Sequence, residues 1–542
     1  MTYDLLIRGG RVVDGTGVAA RVADVGVTGD RIAAVGDLAS APAARVIDAV
    51  GCVVAPGFID AHAHSDAYLL LEPDAPSKLS QGISTEVNGQ CGGSGVPRLG
   101  QARLSSDWAS QTYPSHTSGG VRRSDRPGPT WTTVADYREL FDAVRPAINT
   151  VQFIGHNTLR AGVMGYAPRA ATSDELHQME RRLDQALDEG GWGLSTGLLY
   201  QPGKYAAAAE VEALARAAAA KGGMYATHMR SEGDRLLESI TDVLTLARAT
   251  GIQVQISHLK TSGKDNWGKL EEALALMNNA RAEGLNVQSD RYPYTAAGTD
   301  LDVVLPDWAS AGGRDAILKN VRDPAARARI EGELNGSGRD WSTVMIGGGW
   351  SETVRAFSGR TLAEAAEALG LTPGETVCRF VDADDTRTGA FFFGMCEANL
   401  HRIYGEPWIM PGSDASLRAP WGPLGQDHPH PRAYGTMPRF LRLLTGRVEG
   451  FAKICGLEEA VRRMTSLPAQ TFGLCGRGEL KAGAFADIVV FGEAEFGDLA
   501  TYAQPHQFAS GVHQVVVNGA VSFDSGRFTG ERRGRFLERG GA

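Results

Sequence analysis

Residues 57–64 read GFIDAHAH, an apolar run that ends in two histidines, and this stretch indicates both a fold and a chemistry. Side chains alternate along a β-strand, so His62 and His64 share one face and Asp60 precedes them on that face. Two adjacent imidazoles are a common way of holding one metal ion. The pair alone is equally consistent with two unrelated, half-exposed histidines, so its meaning depends on the rest of the chain.

Short apolar strands recur through the middle of the chain, with helical segments between most of them. The eight predicted strands cover residues 57–64, 84–91, 149–157, 192–200, 223–229, 252–260, 286–294 and 407–416. Alternating strands and helices are typical of a parallel α/β fold, and eight such units predict a (β/α)8 TIM-type barrel over residues 57–476. Among the connecting segments, residues 173–190 are expected to form a helix with Ser173 as its N-cap.

The two ends of the chain share a different sequence pattern, in which predicted strands alternate with Gly-Asp, Asp-Gly and Asn-Gly turns. Residues 1–56 and 477–542 are therefore expected to build one small β domain, of the sandwich type, together. Residues 299–348, between the seventh and eighth strands, predict an inserted subdomain. Residues 97–130 are polar and rich in Ser, Arg, Gly and Pro, and predict a long loop over the barrel mouth.

Residues of the kinds that bind metals or carry protons stand at the ends of the predicted strands. They are His62, His64, Cys91, His156, His228, His258 and Asp414. The carboxyl ends of TIM-barrel strands converge on the active site, and the chain has only 12 histidines to place there. Any one of these residues is explained as a core residue or, for the aspartate, as the cap of a turn. Their shared position favours a catalytic site.

A ligand set of one thiolate and several imidazoles suits zinc better than magnesium or calcium. Cys91, His228 and His258 predict such a set, with three protein ligands and one open coordination position. Asp414 is expected to take a proton from the attacking water and to deliver it to the leaving nitrogen. His156 is expected to orient a polar group in the barrel mouth.

The composition excludes several other classes of protein. The net charge of -9 argues against nucleic acid as a partner, and no apolar run is long enough to predict a membrane-spanning helix. The six cysteines form no CxxC pair, and the first residues lack the pattern of a signal peptide. We therefore expect a cytoplasmic protein that acts on a small molecule, and the sequence leaves the oligomeric state open. There is no phosphate-binding loop and no GxSxG motif.

Taken together, the motifs resemble those of the amidohydrolase superfamily and, within it, of the D-aminoacylases, which deacylate N-acyl-D-amino acids. The resemblance covers nearly the whole chain. It rests on PGFIDAHAHSD, GQCGGS, GHNTLRAGVMG, GLSTGLLYQPG, THMRSE, SHLKTSGKDNWGK, DRYPYTAAGT, PGSDAS, HPRAYGTMPRFL and GAFADIVVF. HxH is shared across the superfamily, whereas the combination of GQCG, SHLK and YPYTA is specific to this branch.

The resemblance implies zinc-dependent hydrolysis of the amide bond of an N-acyl-D-amino acid. It implies that Cys91, His228 and His258 hold a tight zinc, that His62 and His64 border a weaker second site, and that Asp414 is the catalytic aspartate; whether one or two ions bind stays open. For the substrate, it implies that Tyr200, Lys260 and Tyr292 hold the α-carboxylate and that Arg432 reads an acidic side chain. The run AGTDLDVVLPDW after YPYTA lacks the arginine that D-glutamate-preferring members use.

Two other functions stay open at this point. A related amidohydrolase could act as a D-dipeptidase or as a cyclic amidase of the hydantoinase or dihydroorotase kind. The cyclic amidases usually need a lysine at the end of the fourth strand, where this chain has none, since Lys204 lies farther along in a loop. A barrel used only as a binding scaffold is the remaining alternative, and such proteins tend to lose the metal ligands that this chain retains.

Overall fold

The computed structural model describes residues 2–103, 114–117, 120–123 and 131–539. Most of the expected loop at 97–130 therefore lies outside the described residues. The strands, in chain order, are β1 (Tyr3–Val12), β2 (Arg21–Thr28), β3 (Arg31–Gly36), β4 (Ala43–Asp48), β5 (Val53–Pro56), β6 (Phe58–Asp60), β7 (Ile83–Asn88), β8 (Pro114–Thr117), β9 (Gly120–Arg123), β10 (Asn149–Gln152), β11 (Ile154–Gly155), β12 (Gly193–Gly197), β13 (Met224–His228), β14 (Gln253–Ile256), β15 (Val287–Arg291), β16 (Ala296–Asp300), β17 (Val344–Ile346), β18 (Gly389–Phe393), β19 (Ile409–Pro411), β20 (Ile488–Phe491), β21 (Val512–Val517), β22 (Ala520–Asp524) and β23 (Arg527–Phe528).

Helices fill the connections between these strands. The α-helices of the described residues are Tyr68–Leu71, Pro76–Leu79, Val134–Val144, His156–Met164, Ser173–Asp188, Ala208–Ala220, Leu236–Thr250, Leu270–Ala282, Asp307–Ser310, Arg314–Arg322, Pro324–Asn335, Glu352–Arg355, Leu362–Leu369, Pro373–Ala383, Glu397–Tyr404, Arg432–Leu444, Leu457–Met464 and Ser466–Phe472. The apolar faces of the helices around the barrel share one large hydrophobic cluster with its strands.

All eight predicted barrel strands are present. β6 pairs with β7 and β7 with β10, while β11 to β15 and β19 form a second run of parallel strands. β10 and β11 are two halves of one strand that is interrupted at Phe153, and this strand joins the two runs. The ring closes between the last strand and the first, because Ala61 donates its N–H to Pro411 (3.2 Å) and Asp414 donates its N–H to His62 (2.8 Å). The TIM-type barrel predicted from the sequence is confirmed.

Strands from both ends of the chain form one sheet beside the barrel. β20 of the C-terminal segment pairs with β5 of the N-terminal segment, and β5 pairs with β1, so the order is β23-β22-β21-β20-β5-β1-β2-β3, with β4 on β1. Buried aliphatic residues of both segments, such as Val54 and Val490, share a separate core. Strands of the two chain ends thus share one sheet and one core.

The segment between β15 and β19 carries an inserted unit with its own core. β16, β17 and β18 form an antiparallel sheet, and the residues packed against it, from Leu301 to Ala390, form their own hydrophobic cluster. The subdomain expected at 299–348 lies inside this unit, which continues to residue 393. The first strand of the unit starts directly after β15, so the insertion begins beside the carboxyl ends of the barrel strands.

One helix boundary differs from its prediction by a single residue. The helix Ser173–Asp188 is capped by Thr172, not by Ser173: the Thr172 hydroxyl accepts from the N–H of Glu175 (3.3 Å), and the Glu175 carboxylate accepts from the N–H of Thr172 (2.8 Å). This reciprocal pair needs a spacing of three residues between the cap and the glutamate, and Thr172 has that spacing while Ser173 does not.

Among the helices of residues 2–539 that the structure describes, none is both long and apolar enough to cross a bilayer.

Candidate metal centre and active site

Four of the predicted metal-binding residues meet at one point above the carboxyl ends of the strands. The Cys91 Sγ lies 3.3 Å from His62 Nε2, 3.3 Å from His258 Nε2 and 3.7 Å from His228 Nδ1. The three imidazoles also contact one another, with ring centroids 4.5 Å apart for His228 and His258 and 5.0 Å for His62 and His258. The residues come from four strands and are brought together only by the closure of the barrel.

The spacing of these donor atoms fits zinc. A tetrahedral zinc with bonds of about 2.3 Å to sulfur and 2.0–2.1 Å to nitrogen places a sulfur and a nitrogen ligand roughly 3.6 Å apart. The separations of 3.3–3.7 Å around Cys91 Sγ match that value. One thiol with several imidazoles is also the donor chemistry that selects zinc over magnesium or calcium. The residues present therefore fit the ion that the sequence predicts.

The backbone at this cluster is held in an unusual conformation. Cys91, His258 and Asp414 have φ values of +53°, +37° and +50°, in the left-handed region that side chains larger than glycine rarely adopt. Each of these residues lies two or three positions beyond the end of its strand, where the chain turns out of the sheet. Such conformations cost roughly 1–3 kcal/mol each and persist where surrounding contacts determine them. The turns aim all three side chains at the cluster.

The electrostatics of the cluster favour an ionised thiol. Burial alone would raise the pKa of the Cys91 thiol, but His62 and His258 outweigh it and hold that pKa well below its usual range. Burial lowers the pKa of His64, yet its hydrogen bond to Asp414 and the nearby Cys91 raise it to about 9. One cation at this site can replace several protons, because metal ligands must be deprotonated.

Asp414 stands at hydrogen-bonding distance from this cluster. Its Oδ1 lies 3.0 Å from His64 Nε2 and 3.3 Å from His62 Nε2, while its Oδ2 accepts from Arg432 Nη1 at 2.6 Å. Burial raises the pKa of the Asp414 carboxyl, but Arg432 and His258 lower it well below its usual range. The carboxylate is therefore ionised and ready to accept a proton, as a general base must be.

Glu232 contacts the cluster from behind, and the sequence analysis did not assign it a role. Its carboxylate lies 2.8 Å from His258 Nδ1, 3.6 Å from His228 Nε2 and 2.6 Å from Lys260 Nζ. These outer nitrogens and the carboxylate form a second group of donors that could hold a metal ion. The ammonium of Lys260 already fills that position, so the group around Cys91 remains the candidate metal centre. The available signal was the THMRSE motif, in which Glu232 follows His228 by four residues.

Asp290, near the end of β15, contacts two histidines of the cluster. Its Oδ1 lies 3.2 Å from His62 Nδ1 and accepts the backbone N–H of His258 at 3.0 Å. A carboxylate on the outer nitrogen of a ligating histidine sets the tautomer and the ring orientation. The sequence analysis quoted Asp290 only as part of DRYPY, because nothing local shows that β15 and β6 bring it beneath His62.

A buried lysine ties the first, second and last strands together beneath Asp414. The side chains of Lys78, Asp60 and Glu86 have no solvent exposure, and Lys78 Nζ lies 2.9 Å from the Asp60 carboxylate and 3.3 Å from the Glu86 carboxylate. The same ammonium donates to Ser413 Oγ and to the carbonyl of Ala415, both at 3.2 Å. Since these last two residues flank Asp414, the network anchors the turn that carries it.

The predicted substrate-binding residues lie around the same opening. The Tyr200 ring packs against His228 with centroids 4.7 Å apart, and the buried Tyr292 ring faces Arg432 at 4.6 Å and Lys260 at 5.9 Å. The Tyr292 hydroxyl is buried and has no hydrogen-bond partner within the described residues. Arg432, expected to read an acidic substrate group, is paired with Asp414 and also reaches the carbonyl of Gly298 in the inserted unit.

His156 is the one predicted site residue that the structure does not bring to the cluster. It is completely buried, and its Nε2 lies 2.8 Å from Glu210, whose two oxygens also accept from Arg160 at 2.5–2.6 Å. The strand ends at Gly155, and His156 already starts the helix His156–Met164, so its side chain faces the helix Ala208–Ala220 and not the cleft. No contact in the described residues supports the expected role in orienting a polar group in the mouth.

Comparisons with known proteins agree with this geometry. A family model described as the amidohydrolase family matches residues 45–293 and 408–523, and the gap between them coincides with the inserted unit. D-aminoacylase of Alcaligenes xylosoxydans xylosoxydans is 37% identical over 99% of this chain and 98% of its own length.

Solved structures give the same result. A D-aminoacylase whose binuclear metal centre has been characterised is 36% identical, with a TM-score of 0.81 over 99% of this chain and 100% of its own. An N-acyl-D-glutamate deacylase from Bordetella bronchiseptica, in complex with zinc and a phosphonate inhibitor, is 34% identical, with a TM-score of 0.82 and the same coverage. The chain therefore belongs to the amidohydrolase family, in the group of the D-aminoacylases, and is a metal-dependent hydrolase.

Proposed function

We propose that the protein hydrolyses N-acyl-D-amino acids to a carboxylic acid and a free D-amino acid, and that it uses zinc to do so. The observation that carries the proposal is that the ligand atoms of Cys91, His62, His258 and Asp414 all lie within 4.8 Å of one another. A water molecule adds to the carbonyl carbon of the amide, the C–N bond breaks, and one proton passes from the water to the departing nitrogen.

Cys91, His228 and His258 would hold the tightly bound zinc, with His62 and His64 at the side facing Asp414. When bound there, zinc polarises the scissile carbonyl and lowers the pKa of water, which is the chemistry that this fold needs for hydrolysis at neutral pH. A second, weaker ion would have His62, His64 and Asp414 as its nearest donors. The solved D-aminoacylase with a binuclear centre supports a metal cofactor of this kind.

Side chains of the protein carry out the proton transfer and bind the substrate. Asp414 accepts the proton of the attacking water on Oδ1 and returns it to the leaving nitrogen, while Arg432 on Oδ2 keeps the carboxylate ionised at the start of the cycle. Lys260, Tyr200 and Tyr292 would bind the α-carboxylate of the substrate, since an ammonium and a phenol are suitable donors for it. The Tyr292 hydroxyl, which has no hydrogen-bond partner among the described residues, has the donor capacity that this role requires.

We infer the protein's preference for D-configured substrates from its relatives, which are named as D-aminoacylase and N-acyl-D-glutamate deacylase. The cyclic amidase alternative loses support from the fourth barrel strand. β12 reads GLSTG and offers no lysine at its end, and the Lys204 ammonium is paired with Asp307 at 2.6 Å.

The test is a panel of N-acetyl amino acids, D and L, with acidic, aliphatic and aromatic side chains, assayed on protein of measured zinc content. Release of the free amino acid is followed by chiral chromatography, and hydantoin is included as a cyclic substrate. We expect turnover of D substrates, none of the L forms, and turnover lowered by about 10²–10⁴-fold in an Asp414→Asn variant that still holds zinc. Zinc-loaded protein that opens hydantoin but releases no D-amino acid would refute the proposal.

A further inference from the structure

Glu232 is placed so that one carboxylate serves both imidazoles on the far side of the Cys91 cluster. His258 presents Nε2 to the Cys91 Sγ and Nδ1 to Glu232, at 2.8 Å. His228 is turned the other way and presents Nδ1 to Sγ and Nε2 to Glu232, at 3.6 Å. The two rings therefore use opposite nitrogens toward the cluster, and the same side chain lies behind each of them.

The contacts of Glu232 determine which nitrogen of each ring carries the hydrogen. A carboxylate only accepts hydrogen bonds, so in the neutral form of each imidazole, which is the form that binds a metal, the nitrogen that faces the carboxylate carries the hydrogen. The lone pairs are then left on His258 Nε2 and on His228 Nδ1, the atoms that face Cys91. The Glu232 carboxylate also accepts from Lys260 Nζ at 2.6 Å.

The buried Nε2 of His228 needs a hydrogen-bond acceptor, and the Glu232 carboxylate is placed to be that acceptor. This Nε2 has no hydrogen-bond partner in the described part of the chain, and Glu232 is the carboxylate beside it, a few tenths of an ångström beyond hydrogen-bonding distance. Lys260 Nζ, 2.8 Å from His258 Nδ1, cannot donate to it once that nitrogen bears hydrogen. His258 Nδ1 and Lys260 Nζ both point instead at one oxygen of Glu232, which explains why His258, Lys260 and Glu232 lie so close together.

We propose that Glu232 is a positioning residue for the metal centre, which sets the tautomers of His228 and His258 and thereby the affinity of the site for zinc. It also holds the Lys260 ammonium at the edge of the same site. This inference rests on the zinc assignment in the proposed function, but not on the identity of the substrate. A carboxylate behind a ligating histidine contributes about 10–100-fold to metal affinity, and here one carboxylate supports two ligands.

The experiment compares zinc affinities by competition with a chromogenic chelator, using the full-length protein after removal of its metal. Glu232→Gln keeps the size of the side chain but turns one oxygen into an NH2 donor, which cannot accept from an imidazole. We expect its zinc affinity to fall by about 10–100-fold. Glu238→Gln is the matched control, because Glu238 lies six residues downstream in an exposed pair with Arg235, and we expect its zinc affinity to equal that of the wild type.

Two further variants keep the result interpretable. Lys260→Met removes the other partner of Glu232 and leaves the carboxylate, so zinc affinity should be kept while KM for the acyl amino acid rises. Glu232→Asp retains the charge but shortens the reach, and replaces Glu232→Gln if that variant does not fold; its zinc affinity should also fall. The apparent Tm of each metal-free variant separates a loss of fold from a loss of ligand positioning.

The possible outcomes are distinct. Zinc affinity of a folded Glu232→Gln variant within twofold of the wild type would overturn the inference while leaving the deacylase proposal standing. Zinc bound tightly by the wild type, with no turnover of any acyl amino acid, would refute the deacylase proposal and leave the role of Glu232 measurable. A wild-type protein without zinc affinity would overturn both.

Discussion

Replacing Lys78 by methionine tests the structural basis of the site at its most buried point. Lys78 lies in the short helix Pro76–Leu79 and neutralises two carboxylates that have no solvent exposure, those of Asp60 and Glu86. Methionine has a similar volume and fills the same space, so the change removes the charge and its hydrogen bonds without leaving a large cavity. The two carboxylates are then buried without a cation.

The size of the effect follows from the contacts that are lost. Removal of one partner from a buried ion pair costs about 3–5 kcal/mol, because the remaining charge is left uncompensated. Burial already raises the pKa of the Glu86 carboxyl even with Lys78 beside it, so Glu86 can take up a proton in the variant. The loss of stability at neutral pH is therefore expected toward the lower end of that range. The entropy of unfolding is about 2.1 cal/mol/K per residue, so for 542 residues we expect a fall in apparent Tm of about 3–4 °C.

The variant should also lose activity, because Lys78 anchors Ser413 and Ala415 on either side of Asp414. We expect kcat for an N-acyl-D-amino acid to fall about 10-fold or more, the equivalent of about 1.4 kcal/mol in the barrier. Differential scanning calorimetry and steady-state kinetics measure the two effects on one preparation. Lys221→Met is the matched control, because its pair with Asp188 is 39% and 62% exposed and an exposed pair is worth little. Equal Tm values for the two variants, with unchanged kcat, would refute the reasoning.

Three further changes test other parts of the structure. Cys91→Ala removes the atom on which the cluster converges, so the purified variant should contain less than one zinc per chain by elemental analysis, whereas a purely structural thiol would leave the metal content unchanged. Asp414→Asn should lower kcat by about 10²–10⁴-fold with a smaller effect on KM, and a variant that retains full activity would exclude this residue as the base. Burial raises the pKa of Glu210, but hydrogen bonds from His156 and Arg160 lower it from 4.5 to about 2, so its stabilisation is present above pH 4.5 and is lost as the pH falls toward 2. The difference in Tm between the wild type and Glu210→Gln should therefore shrink across that range with activity little affected at neutral pH; a constant difference would contradict the buried pair.

The sequence alone identifies the barrel, and it predicts most of the candidate site, because both inferences rest on local periodicity. A strand alternates its side chains in two directions, so HxH places two imidazoles on one face, and the ends of parallel strands must lie at the same edge of the sheet. Cys91, His228, His258 and Asp414 could therefore be grouped before any coordinates were known. The proposed zinc chemistry is inferred from the residue types.

Local patterns fail where an element changes direction. His156 follows a barrel strand in the same way as Cys91 or His258, but it begins a helix at once, whereas the others lie in turns with positive φ. A sequence does not distinguish these two exits from a strand, because both begin with the same apolar run. The N-cap at Thr172 differs from the predicted Ser173 for a related reason, since two neighbouring hydroxyl residues were both acceptable caps.

The sequence by itself determined the succession of eight strands, and it predicted the union of the two chain ends and the set of residues able to bind a metal, because these follow from spacing and residue type. Only the tertiary structure decided that Glu232, Asp290 and Lys78 support that set. Each contacts partners on other strands, up to 337 positions away in the case of Lys78 and Ala415. The physical reason is that a buried charge is stable only beside its counter-charges, and closure of the barrel brings those partners within reach.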